Sequence, residues 1–156
     1  MGENEIRNLA DSHAGIDEWK KAGFNELQVL EITKGNDNGV DISIYASPEY
    51  NSRQMKVIRM ALEEGIDVSA MADPEYNYMQ MEQIKEGIKE GIDLSLICNP
   101  KYDYSVMREI RLALKYRFDL TRYAKLGYSG EVLRQIRLAK SCLLYTSPSP
   151  RDRSVS

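Results

Sequence analysis

The sequence predicts an all-α protein, an α-solenoid of stacked short-helix and long-helix repeats, on three observations. First, an aromatic residue recurs every 26 positions, at Phe24, Tyr50, Tyr76, Tyr102 and Tyr128. Second, apolar residues follow each aromatic at fixed offsets: Val29, Met55, Met81, Met107 and Leu133, then Ile32, Ile58, Ile84, Ile110 and Ile136. Third, every period holds a residue suited to start a helix, and most hold a glycine suited to stop one. Self-similarity at a fixed period marks units that bury their apolar faces only against neighbours.

The first element is residues 1–23. Ile16, Trp19 and Ala22 stand 26 residues before Ile42, Tyr45 and Pro48, so this segment reads as a degenerate N-terminal capping copy. The array proper spans residues 24–141.

Within each copy the long helix comes first. Asn25, Asn51, Asn77, Asp103 and Ser129 are N-cap types, because their side-chain oxygens accept a free first-turn N–H. Gln28, Gln54 and Gln80, three residues on, complete capping boxes, and the aromatic before each cap makes a hydrophobic staple with the residue five beyond it. Met55, Ile58, Ala61 and Leu62 form one apolar stripe, with Lys56, Arg59, Glu63 and Glu64 pointing elsewhere. Gly39, Gly65 and Gly91 supply the left-handed stop, each followed by an aliphatic residue. Arg117 replaces this glycine in one copy, so that end is either strained by about 1 kcal/mol or closed differently.

A shorter element follows. Asp41, Asp67, Asp93 and Asp119 read as N-caps of a second helix of one to two turns, ended by Pro48, Pro74 and Pro100 where those prolines occur. Each repeat is thus a short helix, a Pro turn, a long helix and a Gly turn.

These columns, Pro-x-Tyr-Asn-x-x-Gln-Met-x-x-Ile through Gly-Ile-Asp-[Val/Leu]-Ser, resemble short helical repeats of uncharacterised bacterial proteins, often from gut species and mobile genetic elements. The resemblance covers residues 24–141, with Arg117, Leu126 and Gly127 as departures. It implies the fold and no known activity.

From Cys142 the composition turns to Ser, Pro and Arg, and the text resembles one reading frame of a sequencing-library adapter. Residues 142–156 are therefore expected to be a non-native, disordered tail, with the natural gene continuing past Ser141.

Charge is unevenly placed. Net charge is −3, but residues 1–99 carry 9 Lys/Arg against 19 Asp/Glu, and residues 100–140 carry 10 against 4. No stretch approaches the roughly 20 apolar residues that span a bilayer, and no signal peptide or myristoylation pattern opens the chain. Cys98 and Cys142 have no metal or disulfide spacing. A soluble, cytoplasmic protein with a small buried thiol at Cys98 is expected.

Catalytic chemistry finds no constellation. His13 has no nucleophile or carboxylate at a motif spacing, and phosphate loops and nucleophile elbows are missing. The repeated Asp-x-Ser/Thr supplies one carboxylate per repeat, too few to converge on an ion. The run Lys34-Gly35-Asn36-Asp37-Asn38-Gly39 faintly resembles a calcium loop, but Lys34 and Tyr45 stand where acidic ligands belong, so it reads as a flexible turn at an eroded helix end. No enzyme, cofactor or metal is predicted.

The expected function is a protein-interaction scaffold, with partner specificity in variable exposed positions such as Arg53, Met79, Ser105 and Glu131. Two alternatives stand beside it. One is nucleic-acid binding through a basic column, Arg59, Lys85, Arg111 and Arg137, reinforced by Arg108 and Arg134. The other is an accessory region of a larger enzyme.

Overall fold

The computed structural model describes residues 2–12 and 14–145, and among them it is all-helical, with no strand. Eight α-helices follow one another: α1 (Glu3–Asp11), α2 (Ile16–Lys21), α3 (Glu26–Asp37), α4 (Ser52–Glu63), α5 (Tyr78–Glu90), α6 (Tyr104–Lys115), α7 (Thr121–Lys125) and α8 (Gly130–Tyr145). Two 3-10 turns, Ile42–Ile44 and Leu94–Leu96, interrupt the connections. The chain divides into two units, Met1–Leu94 and Ser95–Ser156.

The long helices start where their caps predict. Asn25, Asn51 and Asn77 have extended backbones, and their Oδ1 atoms accept the N–H of Gln28, Gln54 and Gln80 at 2.9–3.0 Å. Each glutamine returns the bond, its Oε1 accepting the asparagine N–H at 2.8 Å. Two orphan donors are satisfied reciprocally, so the start of the helix is set by two residues alone. Asp103 departs from this pattern: its carboxylate accepts the Ser105 hydroxyl at 2.6 Å and no backbone N–H.

The helix ends are equally local. Gly39, Gly65 and Gly91 lie at φ +73°, +73° and +66°, and the next residue's N–H reaches back to the carbonyl of Gly35, Ala61 or Gly87. This is the Schellman closure, which needs a left-handed residue. Arg117 keeps the same closure at φ 61°, with Phe118 N–H on the Ala113 carbonyl, and is the one non-glycine residue with positive φ among those described. The strained alternative is therefore the one adopted.

The predicted short helices are corrected. Asp41, Asp67 and Asp119 do cap, accepting the N–H of Ser43, Ser69 and Thr121 at 3.1, 3.0 and 2.7 Å. What they cap is a single 3-10 turn at Ile42–Ile44, hydrogen-bonded turns without helix after Asp67, and an α-helix only at α7. The prolines explain the brevity. Tyr50, Tyr76 and Tyr102 donate their N–H groups to Ser47, Asp73 and Asn99, closing four-residue turns with Pro in the second place. Proline presets that turn position and cannot donate to a continuing helix.

Two further expectations change. Lys34 to Asp37 belong to α3 and Asn38 is its C-cap, so the segment read as a flexible turn is mostly ordered helix. Residues 142–145 continue α8, and 146–156 and His13 lie outside the described residues.

In the first unit α3 packs on α4 and α4 on α5, around Ile32, Met55, Ile58, Met71, Met81 and Ile84. Trp19 and Phe24 meet edge to face at 5.4 Å, tying α2 to the start of α3. In the second unit α6 packs on α8 around Met107, Ile110, Ala113 and Leu133. Each fully buried large side chain contributes about 1.5–3 kcal/mol relative to exposure. No helix among the described residues is long and apolar enough to cross a membrane.

Candidate interaction surfaces

The basic column was expected to line an open face. The structure places it otherwise. Arg59, Lys85 and Arg111 are buried and Arg137 is half-buried. Arg59 Nε donates to Glu31 Oε2 at 2.9 Å, joining α4 to α3, and its Nη1 donates to Glu63 in its own helix. Arg137 Nε repeats the first contact in the second unit, on Glu109 Oε2 at 2.6 Å. Arginine suits this place because its planar fork can satisfy two carboxylates at once. Both pairs span 28 residues, a helix face of one copy receiving the guanidinium of the next.

Between them the pattern adapts. Val57 occupies the place of Glu31 one period on, and Lys85 instead reaches Glu64 at 2.7 Å. Of the reinforcing column, Arg108 contacts Glu109 at 3.3 Å and Arg134 is exposed.

The charges shift one another. Hydrogen bonds from Asn38 and then Arg59 hold Glu63 below the usual carboxylate value, and Lys85 does the same for Glu64. Burial opposes the charge of Arg59, but its bonds to Glu63 and Glu31 outweigh it and raise its pKa. These groups hold helices together, so the period of 26 that marked them as a reading surface records an internal contact instead.

Sequence reasoning missed two contacts. The capping glutamines carry a second role: Gln28 Nε2 donates to the Tyr50 carbonyl at 2.6 Å and the Pro48 carbonyl at 3.4 Å, and Gln54 does the same to Tyr76 and Pro74 at 2.6 and 3.1 Å. One amide thus caps its own helix and grips the following turn. The signal was present, since Gln persists where other N3 residues would cap equally well. Tyr45 is the second case: fully buried, it donates its hydroxyl to the Glu31 carbonyl at 3.0 Å, and burial pushes its pKa up.

What remains outward is variable. Leu27 and Leu30 on α3 are 62 % and 46 % exposed, and Met60 on α4 is also exposed. Arg53 is exposed and lies over the Tyr78 ring at 5.2 Å, and it lines a groove with Lys56, Val57, Met60, Tyr78 and Glu82. Glu131 is exposed as expected. Met79 and Ser105 are half-buried, the latter because its side chain lies against Gly130, where a Cβ would overlap it. A cavity of about 180 Å³ between α1, α2 and α3 is lined by Leu9, Trp19, Ile32 and Asp37 among others.

The aromatic column is not a stacking platform in the first unit, where Phe24, Tyr50 and Tyr76 are buried. Tyr128 is exposed and stacks on Tyr123 at 5.8 Å. Cys98 is half-buried, not fully buried, and burial raises its thiol pKa; Cys142 is exposed. Among the described residues no three His, Cys, Asp or Glu side chains converge as a metal site. Comparison with protein-family models, curated proteins and solved structures finds no match.

Proposed function

We propose that the chain is a non-enzymatic helical-repeat scaffold, a solenoid whose outer helix face binds a protein partner in a reducing, cytoplasmic setting. The observation that carries this reading is Leu27 and Leu30, one turn apart on α3 and both exposed, while the equivalent α4 positions are Arg53 and Lys56. Columns with internal jobs keep their chemistry from copy to copy, whereas these change from apolar to basic. A surface that varies on a repeated frame is how repeat proteins select partners. Exposed leucines rimmed by charged side chains are also the composition of an interface core and rim.

The test is affinity capture from a related bacterial lysate, comparing the native chain with Leu27→Asp/Leu30→Asp. A partner retained by the first and lost by the second supports the proposal. Failure to capture any protein, or equal capture by both, overturns it.

A second reading is favoured by Arg122, Lys125 and Arg134, which are exposed in the basic part of the chain. These fit a phosphate backbone better than the buried column does. Binding of a DNA or RNA oligonucleotide at low salt that weakens steeply with added salt supports this reading, and no low-salt affinity removes it.

A further inference from the structure

The geometry points to the open face of α8 as a docking site for one more helix of the kind that α8 itself is, supplied by a partner. This rests on the scaffold reading but concerns a different helix from Leu27 and Leu30, so the two can fail separately.

On α8, Val132, Gln135, Ile136 and Ala139 share one face by their spacing. Their counterparts 26 residues earlier on α6 are Val106, Glu109, Ile110 and Ala113, all buried where α6 packs on α8. Val106 is 8 % exposed and Val132 is 44 % exposed. Gln135 and Ala139 are likewise exposed and Ile136 is half-buried. The same chemistry is therefore covered on one helix and uncovered on the next.

The established contacts state what covers it. Glu31 and Glu109 each receive an arginine 28 residues on, and each such arginine lies four residues after an apolar side chain, Met55 with Arg59 and Leu133 with Arg137. Gln135 occupies the place of Glu31 and Glu109, with its Nε2 donating to Glu131 at 3.0 Å. Its amide oxygen is left as the acceptor for such an arginine. The occupant is accordingly an amphipathic helix with an apolar residue and an arginine at i, i+4. The N-terminal helix of a second copy fits less well, because Glu3 stands where Met55 and Leu133 are apolar.

The probe is a labelled 26-residue peptide with the sequence of residues 116–141, titrated into the full chain and followed by fluorescence anisotropy and by hydrogen exchange. Saturable binding is expected, with slowed exchange at 132–139. Ile136→Asp should weaken binding about tenfold or more. Gln135→Glu, a surface change that leaves the fold intact, should tighten it severalfold by giving the arginine a carboxylate. Three results overturn the proposal: no binding of the peptide, an affinity unmoved by both variants, or sedimentation of the chain alone as a dimer that Ile136→Asp dissociates, which would make a second copy the occupant. Loss of capture through Leu27 and Leu30 with this binding intact would remove only the scaffold surface on α3.

Discussion

The hydroxyl of Tyr45 occupies the space that a side chain at Gly35 would need. A Cβ built on Gly35 overlaps that oxygen and crowds Val40 as well. The glycine in mid-helix therefore serves a contact, not a turn. Gly35→Ala should destabilise the fold by about 1–3 kcal/mol, beyond the stabilisation that better helix propensity would bring. Tyr45→Phe should cost about 1 kcal/mol through loss of the Glu31 carbonyl bond. In denaturant melts the double variant should be less unstable than the two losses added together. Strict additivity would show that the residues do not meet.

Gln54→Ala removes a capping box and two bonds to the following turn. A buried carbonyl then loses its donor, and the expected cost is about 2–3 kcal/mol. Exchange at the amides of the Pro74–Tyr76 turn should accelerate along with those at the start of α4. If only α4 responds, the forward bonds contribute nothing.

Arg59→Ala leaves Glu31 buried without its guanidinium, a loss of about 3 kcal/mol. Replacing both, as Arg59→Met with Glu31→Leu, should recover most of that stability. A double variant no better than Arg59→Ala would count against the ion pair as the cause.

At Arg117 the direction reverses. Its left-handed backbone costs a side-chain-bearing residue about 1 kcal/mol, so Arg117→Gly should raise stability by about that amount. Thermal denaturation tests it, and a lower melting temperature would refute it.

The pH dependence follows from carboxylates. Glu63, Glu64 and Asp67 have folded-state pKa values lowered by hydrogen bonds to Asn38, to Lys85 and to the Ser69 backbone, respectively. The stabilisation they contribute is present above the ordinary values of 4.5 and 3.8 and is lost as pH falls through the lowered ones. Stability should decline below about pH 4.5, and Glu63→Gln/Glu64→Gln should flatten that decline. An unchanged acid profile in the double variant would reject these two groups as its source.

How much of this was legible in the sequence depends on the range of the interaction. Caps and stops act within a few residues, so Asn51 and Gly65 bounded a helix found at Ser52–Glu63. The apolar columns showed which residues are buried, because burial needs only a shared type at helical spacing. What neighbouring copies offer one another was not legible. A column of Arg and Lys looks the same whether it meets solvent or the carboxylate of Glu31, and only the packing of α4 on α3 decides. The short helices were overread because Asp67 marks a cap without stating how many residues follow it. The space around Gly35 was invisible for a related reason: it depends on the large Tyr45 side chain.

The glutamine amides have a direction. Gln28 depends on the turn at Pro48–Tyr50, and Gln54 on the turn at Pro74–Tyr76, while neither turn depends on a donor from behind for the cap of the helix that follows it. Opening the later turn strips α4 of support at its first residues; opening the earlier one leaves the cap of α4 closed. Within the unit Met1–Leu94, melting that begins at the C-terminal side should therefore travel backwards like a zipper pulled one way, and melting that begins at the N-terminal side should stall.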